Sequence, residues 1–255
     1  MKEYYETELG KLYQGDCLEV MDRLIEQGIK TNVMFTSPPY NMNLRIRNGK
    51  YCSRQIVKEL TTKYESFDDN IPMEDYFEFN KKVIEKSLDI SDMVFYNVQF
   101  LTGNKPALFK LIGHFHLQLK EFIVWDKING QPAIGEGILN SQFEVILVFD
   151  KNNAISRKFK DGNFDRGTLS NLWNIKRGKK IHKSHRATFP LELAKKVIEN
   201  FSKEGDIIID PFMGLGTTGV AARDLNRNFI GIEMNETYFE IAKNRIEKAM
   251  EGDMN

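Results

Sequence analysis

The stretch from Asp206 to Leu225 constrains the fold more than any other. A strand is expected at Asp206–Asp210, and its tip leads into Pro211-Phe212-Met213-Gly214-Leu215-Gly216-Thr217-Thr218-Gly219, with a helix expected from Thr217 to Leu225. Strand, glycine turn and helix in series belong to an α/β fold, and the rest of the chain repeats the alternation. Further strands are expected at Glu8–Tyr13, Val33–Phe35, Met93–Val98, Glu121–Trp125, Glu144–Phe149 and Asn228–Ile232, which makes seven. Leu18, Met21, Leu24 and Ile25 form one apolar helical stripe. Helices are also expected at Glu74–Leu88, Lys105–Gly113 and Pro190–Phe201, and from Asn235 onward, where Asn235 is an N-cap with Tyr238 at N3. Gly130–Gly137 reads as a glycine-rich connection. The expected architecture is one domain, 1–255: a seven-stranded, mostly parallel sheet with helices on both faces.

The glycine turn also selects a ligand class. Gly214, Gly216 and Gly219 make a formal G-x-G-x-x-G, with Glu233 downstream as an acceptor for ribose hydroxyls. Alone, this pattern fits a nicotinamide-dependent oxidoreductase. Asp210 points elsewhere, because a carboxylate at the strand tip faces a pyrophosphate unfavourably. It suits S-adenosylmethionine, which carries an ammonium, a sulfonium, a carboxylate and a ribose. In that reading Asp210 meets the ammonium, directly or through water. The helix start at Thr217 and Thr218 meets the carboxylate.

A second motif, Thr36-Ser37-Pro38-Pro39-Tyr40-Asn41, leaves the strand at Val33–Phe35. Two prolines in series stiffen the backbone and remove two donors. The Ser37 hydroxyl and the Pro38 carbonyl are then acceptors able to converge on one amine, with Tyr40 as a flat ring beside it. Such a pocket suits the exocyclic amine of a planar base. By itself the segment reads first as a Pro-Pro turn leaving a strand, and the glycine turn downstream reverses that order.

Formal net charge is zero, so any polyanion partner has to be met by local patches. Two stretches qualify. The loop 42–66 carries Arg45, Arg47, Lys50 and Arg54 with few acids, and reads as a phosphate contact, a lid or a solvated loop. Residues 151–184 interrupt the alternation. They lead into an acid-free run containing Lys176, Arg177, Lys179, Lys180 and Lys183. Phe164 and Trp173 nearby read either as base-contacting wedges or as local core. Cys17 and Cys52 are too few for a disulfide scaffold and too far apart for a ligand pair. No metal site, signal peptide or membrane span is read, so a cytoplasmic location is expected.

Together, Asp210-Pro211-Phe212, Gly214-Leu215-Gly216-Thr217-Thr218 and the upstream Thr36-Ser37-Pro38-Pro39-Tyr40-Asn41 resemble the β-class of S-adenosylmethionine-dependent DNA amino-methyltransferases. That resemblance implies a Rossmann-like methyltransferase fold with circularly permuted motif order, the target motif preceding the cofactor loop. It implies catalysis at Ser37, Pro38, Pro39 and Tyr40. Cofactor contacts are implied for Asp16, Cys17, Thr36, His185, Phe189 and Pro190, as well as Asp210, Phe212, Gly214, Gly216, Thr217, Thr218 and Glu233. Residues 151–184 fall where the family keeps a target-recognition insertion, short here. The implied partners are DNA, a second copy of the chain and a cognate restriction endonuclease. Serine at 37, where adenine-modifying members more often carry Asp, favours N4 of cytosine over N6 of adenine as the target. An inert DNA-binding scaffold is disfavoured by the intact Ser37, Tyr40, Asp210 and Glu233.

Overall fold

The computed structural model describes residues 3–7, 10–41, 45–47, 50–52, 71–131, 136–178 and 188–250. In chain order the strands are β1 (Glu3–Thr7), β2 (Gly10–Gln14), β3 (Thr31–Thr36), β4 (Arg45–Arg47), β5 (Lys50–Cys52), β6 (Ser91–Val98), β7 (Leu119–Gln131), β8 (Ser141–Asp150), β9 (Leu172–Asn174), β10 (Ile207–Asp210) and β11 (Asn228–Glu233). The helices are α1 (Cys17–Glu26), α2 (Met73–Ile90), α3 (Lys105–His114), α4 (Leu191–Phe201), α5 (Thr217–Asp224) and α6 (Glu236–Met250).

Nine strands form one mixed sheet in the order β1-β2-β11-β10-β3-β6-β8-β7-β9. The run from β2 to β6 is parallel, while β8 lies antiparallel to β6 and to β7. Alternation along each central strand sends side chains to two cores. On β3, Val33 and Phe35 pack with α4, α5 and α6 residues such as Val197, Val220 and Phe239. Met34 faces the other way, with Val20 of α1, Ile84 of α2 and Leu108 of α3.

The strand count of seven is therefore too low. The additional β1 pairs antiparallel with β2 across Glu3–Gln14. The additional β9 lies inside the 151–184 insertion, parallel to β7, and buries Trp173 in the main core. Short edge segments carry too few residues to show a period, which is why pattern alone passes over them. Trp173 is thus core, and Phe164 packs edge-on against Phe201 of α4. β7 also extends past the expected Trp125 as far as Gln131, the second residue of the expected connection, with a register break between Asp126 and Gln131 and a positive φ of 65° at Ile128. Within the basic loop, β4 and β5 form a small antiparallel pair.

What places the site is the centre of the sheet. β3 connects onward through α2 to β6 on one side, and β10 through α5 to β11 on the other. β3 and β10 are neighbours, with Ile208 opposite Val33 and Ile209 opposite Met34. That is a topological switch point, where the carboxyl ends of adjacent strands diverge and leave a crevice.

Candidate active site

The two strand tips are tied by one buried carboxylate. Asp210 accepts from the Thr36 hydroxyl (2.6 Å), the Thr218 hydroxyl (2.6 Å) and the Phe212 amide (3.0 Å). These donors take three of its roughly four acceptor positions. Burial pushes the carboxyl up to about 6 despite them. Asp210, Thr36 and Thr218 are thus spent on one another and are absent from the cleft wall, so they shape the cofactor loop from behind.

The wall itself comes from the next residues along. Glu233, at the end of β11, accepts from the Gly214 amide (2.9 Å) and the Asn235 amide (2.8 Å) and faces the cleft. Burial pushes its carboxyl up to about 7. Asp16 caps α1 by accepting from the amides of Leu18 (2.9 Å) and Glu19 (3.1 Å), and it too lines the cleft. Thr217, in the first turn of α5, is buried, and its hydroxyl has no partner among the described residues. It is an open polar group at a helix N-terminus, suited to a carboxylate. Gly216 has another purpose. Its φ is +77°, and an added Cβ would sit 3.0 Å from the Ala242 Cβ and 3.1 Å from its Cα. The glycine lets α6 pack against the loop and does not touch the cleft.

The cleft encloses about 910 Å3 including its open mouth. It is lined by Ser37 and Pro39 of the Pro-Pro corner and by Phe212, Gly214, Thr217 and Glu233 of the cofactor loop and β11. Cys17 and Phe189 complete it; burial pushes the Cys17 thiol well up, so it behaves as a small neutral group. The Phe189 ring packs 4.7 Å from that of Phe35. Pro190 caps α4 outside the cleft. Phe79, Met234 and Tyr238 line the cleft without having been expected to.

The Pro-Pro corner is held by side chains from distant elements. Tyr76 of α2 donates to the Pro39 carbonyl (2.8 Å), and Asn104 donates to the Tyr40 carbonyl (2.6 Å). Asn41, at φ 47°, exchanges two hydrogen bonds with the Ile71 backbone, both at 3.0 Å. Among the described residues the Pro38 carbonyl accepts nothing, which keeps it available as an acceptor. Tyr40 is only 4% exposed. Its hydroxyl lies 2.7 Å from Ser37 Oγ, donates to Glu144 Oε2 (2.8 Å) and accepts from Asn97 Nδ2 (3.0 Å). Glu144 in turn pairs with Lys127 at 2.7 Å. In the sequence Glu144 reads as the first residue of an apolar strand. Only the antiparallel register, Trp125 opposite Glu144, brings Lys127 beside it.

Of the candidate DNA contacts, Lys176 and Arg177 are exposed, and an Arg177 guanidinium nitrogen lies 3.5 Å from the Ser141 carbonyl. Arg45, Arg47 and Lys50 are placed on β4 and β5. Arg54, Lys179, Lys180, Lys183 and the cofactor candidate His185 lie outside the described residues.

A family model described as DNA methylase, covering the N6 and N4 methyltransferases, matches residues 31–244. The chain belongs to that family. It is 27% identical to the type II methyltransferase M2.DpnII of Streptococcus pneumoniae, over 96% of this chain and 92% of that protein. It is 26% identical to M.HinfI of Haemophilus influenzae, over 96% of this chain and 70% of the relative. Among solved structures, the cytosine-N4-specific PvuII DNA methyltransferase superposes with a TM-score of 0.68 at 16% identity, covering 97% of this chain and 92% of that one. The M1.HpyAVI–SAM complex superposes with a TM-score of 0.62 at 22% identity, covering 93% and 100%. These likenesses carry the methyltransferase fold.

The chain is thus an S-adenosylmethionine-dependent DNA amino-methyltransferase of the β-class, and a nicotinamide oxidoreductase is set aside. The cleft fits the methyl donor. Thr217 would meet its carboxylate at the helix start, Glu233 would accept from its ribose hydroxyls, and Asp16 would accept from its adenine amine. Among the described residues no helix is long and apolar enough to cross a membrane.

Proposed function

We propose that this methyltransferase modifies N4 of cytosine at a specific DNA site. The observation that carries the reading is serine at position 37, in the lining of the cleft that it shares with the cofactor loop. S-P-P-Y with serine resembles the cytosine-N4 members of the class. The bases of a duplex are stacked, so the target has to be flipped out, at a cost of a few kcal/mol. Stacking against the Tyr40 ring returns about 1–3 kcal/mol. The ring's small exposure means that capture opens this corner.

Ser37 Oγ and the Pro38 carbonyl accept the two amine hydrogens, which favours pyramidal nitrogen and restores density to its lone pair. Bound in the cleft, S-adenosylmethionine supplies a methyl group on a sulfonium that leaves as a neutral thioether. The chain's contribution is orientation and fixed dipoles, with no nucleophilic residue, and the surplus proton passes to water. Cys17, buried and neutral, has no part in a C5-type attack.

Phosphate contacts from Lys176, Arg177 and the β4–β5 pair position the duplex in this reading. A homodimer and a partnership with a cognate restriction endonuclease belong to the same reading; light scattering with and without DNA checks the first. Incubation with DNA and S-adenosylmethionine, followed by nucleoside mass spectrometry, tests the target. N4-methylcytosine is expected. N6-methyladenine would move the target to the other amine, and 5-methylcytosine would overturn the mechanism.

A further inference from the structure

We infer that Glu144 is a positioning residue for methyl transfer: its charge, relayed through the Tyr40 hydroxyl, fixes Ser37 as a hydrogen-bond acceptor toward the target amine. The inference rests on the proposal that the amine meets Ser37, and is independent of which base carries it.

The argument is one of hydrogen-bond polarity. An ionised carboxylate accepts only. Lys127 Nζ occupies Glu144 Oε1 at 2.7 Å, so Oε2 is the oxygen turned to the corner. There it receives the Tyr40 hydroxyl at 2.8 Å and the Asn97 amide at 2.7 Å. A phenol has a single proton. With that proton committed to Glu144, the 2.7 Å contact between Tyr40 and Ser37 is made by the Ser37 proton. The alternative acceptor for that proton, the Asn97 carbonyl, is farther away at 3.3 Å. Asn97 Nδ2 donates to Ser37 Oγ at 3.4 Å, so a remaining lone pair is what Ser37 has to offer toward the cleft that it lines. The same charge sets the Asn97 amide, whose Oδ1 is left buried and without a partner among the described residues.

The environment keeps Glu144 charged. Burial alone would raise its carboxyl, yet Lys127, Asn97 and Tyr40 hold it below the usual carboxylate range. No charged group of the cofactor loop is needed for this. The pair belongs to the antiparallel β7–β8 ladder, which comes from a different part of the chain than either motif.

A neutral isostere should invert the relay. In E144Q, Lys127 keeps the amide oxygen on its own side, so the amide nitrogen faces the corner, giving one proton to Tyr40 and the other to an Asn97 amide turned to present its Oδ1. Tyr40 then donates to Ser37, and Ser37 presents a proton to the amine. Single-turnover methylation by E144Q should fall about 100-fold, the scale of losing one preorganised group, with S-adenosylmethionine affinity unchanged. Y40F cuts the relay without inverting it and should cost only about threefold, because a released hydroxyl samples three staggered wells. The double variant Y40F/E144Q should recover to the level of Y40F. A merely structural role for Glu144 gives additive losses and no recovery. Should E144Q fail to fold, K127M/E144L exchanges the ion pair for apolar groups, which buried sites commonly tolerate. It should lose about threefold, with no further loss on adding Y40F. Wild-type rates in E144Q or K127M/E144L, or an unrecovered double variant, overturn the inference. If the wild-type chain labels no DNA amine, the proposal beneath it fails as well; if it does and E144Q matches it, only the inference fails.

Discussion

The two walls of the cleft are built in opposite ways. On the cofactor side most supporting bonds are local. Asp210, Phe212, Gly214, Thr217 and Thr218 sit within one strand–turn–helix, joined by Glu233 from the next strand. On the target side the corner is short, and nearly everything holding it comes from elsewhere: Tyr76 of α2, Asn97 of β6, Asn104, and Glu144 with Lys127 from β8 and β7. One wall is a motif; the other is a convergence of tertiary contacts around four residues. The Thr36–Asp210 bond joins the strand tips directly through side chains.

This contrast predicts different failures. The largest effect is expected for Lys127→Met, which leaves the Glu144 charge buried without its ion-pair partner, a loss of about 3–5 kcal/mol at neutral pH. Without its partner the Glu144 carboxyl is raised by burial. Stability is then present below the ordinary carboxylate value and lost as pH rises, so denaturant midpoints should recover on acidification. A variant as stable as wild type at pH 8 would show that the pair does not anchor the corner.

Next comes Asp210→Ala, which strands the Thr36 and Thr218 hydroxyls and the Phe212 amide. Each orphaned buried group costs about 1–3 kcal/mol, and calorimetry should find cofactor binding abolished. Normal binding would separate Asp210 from the site.

Tyr40→Ala should weaken DNA capture by about 1–3 kcal/mol, the worth of one base–aromatic stack, while cofactor titration is unchanged. Equal weakening of both would erase the distinction between the walls.

A pH series sharpens the cofactor side. Glu233 and Asp210 are raised to about 7 and about 6, mainly by burial. Their contribution to the stability of the cofactor-free chain is therefore full below about 4 and is lost as pH rises through those values. Cofactor contact needs Glu233, the one of the two that lines the cleft, ionised, so affinity should fall on the order of tenfold from pH 8 to pH 6. A flat profile would contradict the placement of Glu233 at the cofactor. The smallest effect is expected for Lys176→Ala, which should reduce the salt dependence of DNA binding by about one counterion without changing the methylation rate.

The same contrast explains what could be read in advance. The cofactor loop is legible because its chemistry is written in neighbouring residues: a strand tip acid, glycines and a helix start. The Pro-Pro corner is legible as a motif, and its meeting with the loop follows from β3 and β10 being adjacent. Its support is not. Asn97 and Glu144 look like polar residues in apolar strands until the antiparallel β6–β8–β7 order sets them beside Tyr40. Thr36 and Thr218, expected at the ligand, are instead consumed by Asp210, because a fully buried carboxylate draws in every donor within reach. β9 escaped because a three-residue edge strand has no period; its Trp173 was visible, but not which core it joins.

The central claim is that one cleft joins two separately built walls. Single-turnover transfer of labelled methyl to duplex DNA by Ser37→Ala, with S-adenosylmethionine affinity measured on the same preparation, tests it most directly. The account predicts a fall in transfer of about 100-fold with cofactor affinity intact. Unchanged transfer, or a matching loss of cofactor binding, would contradict it.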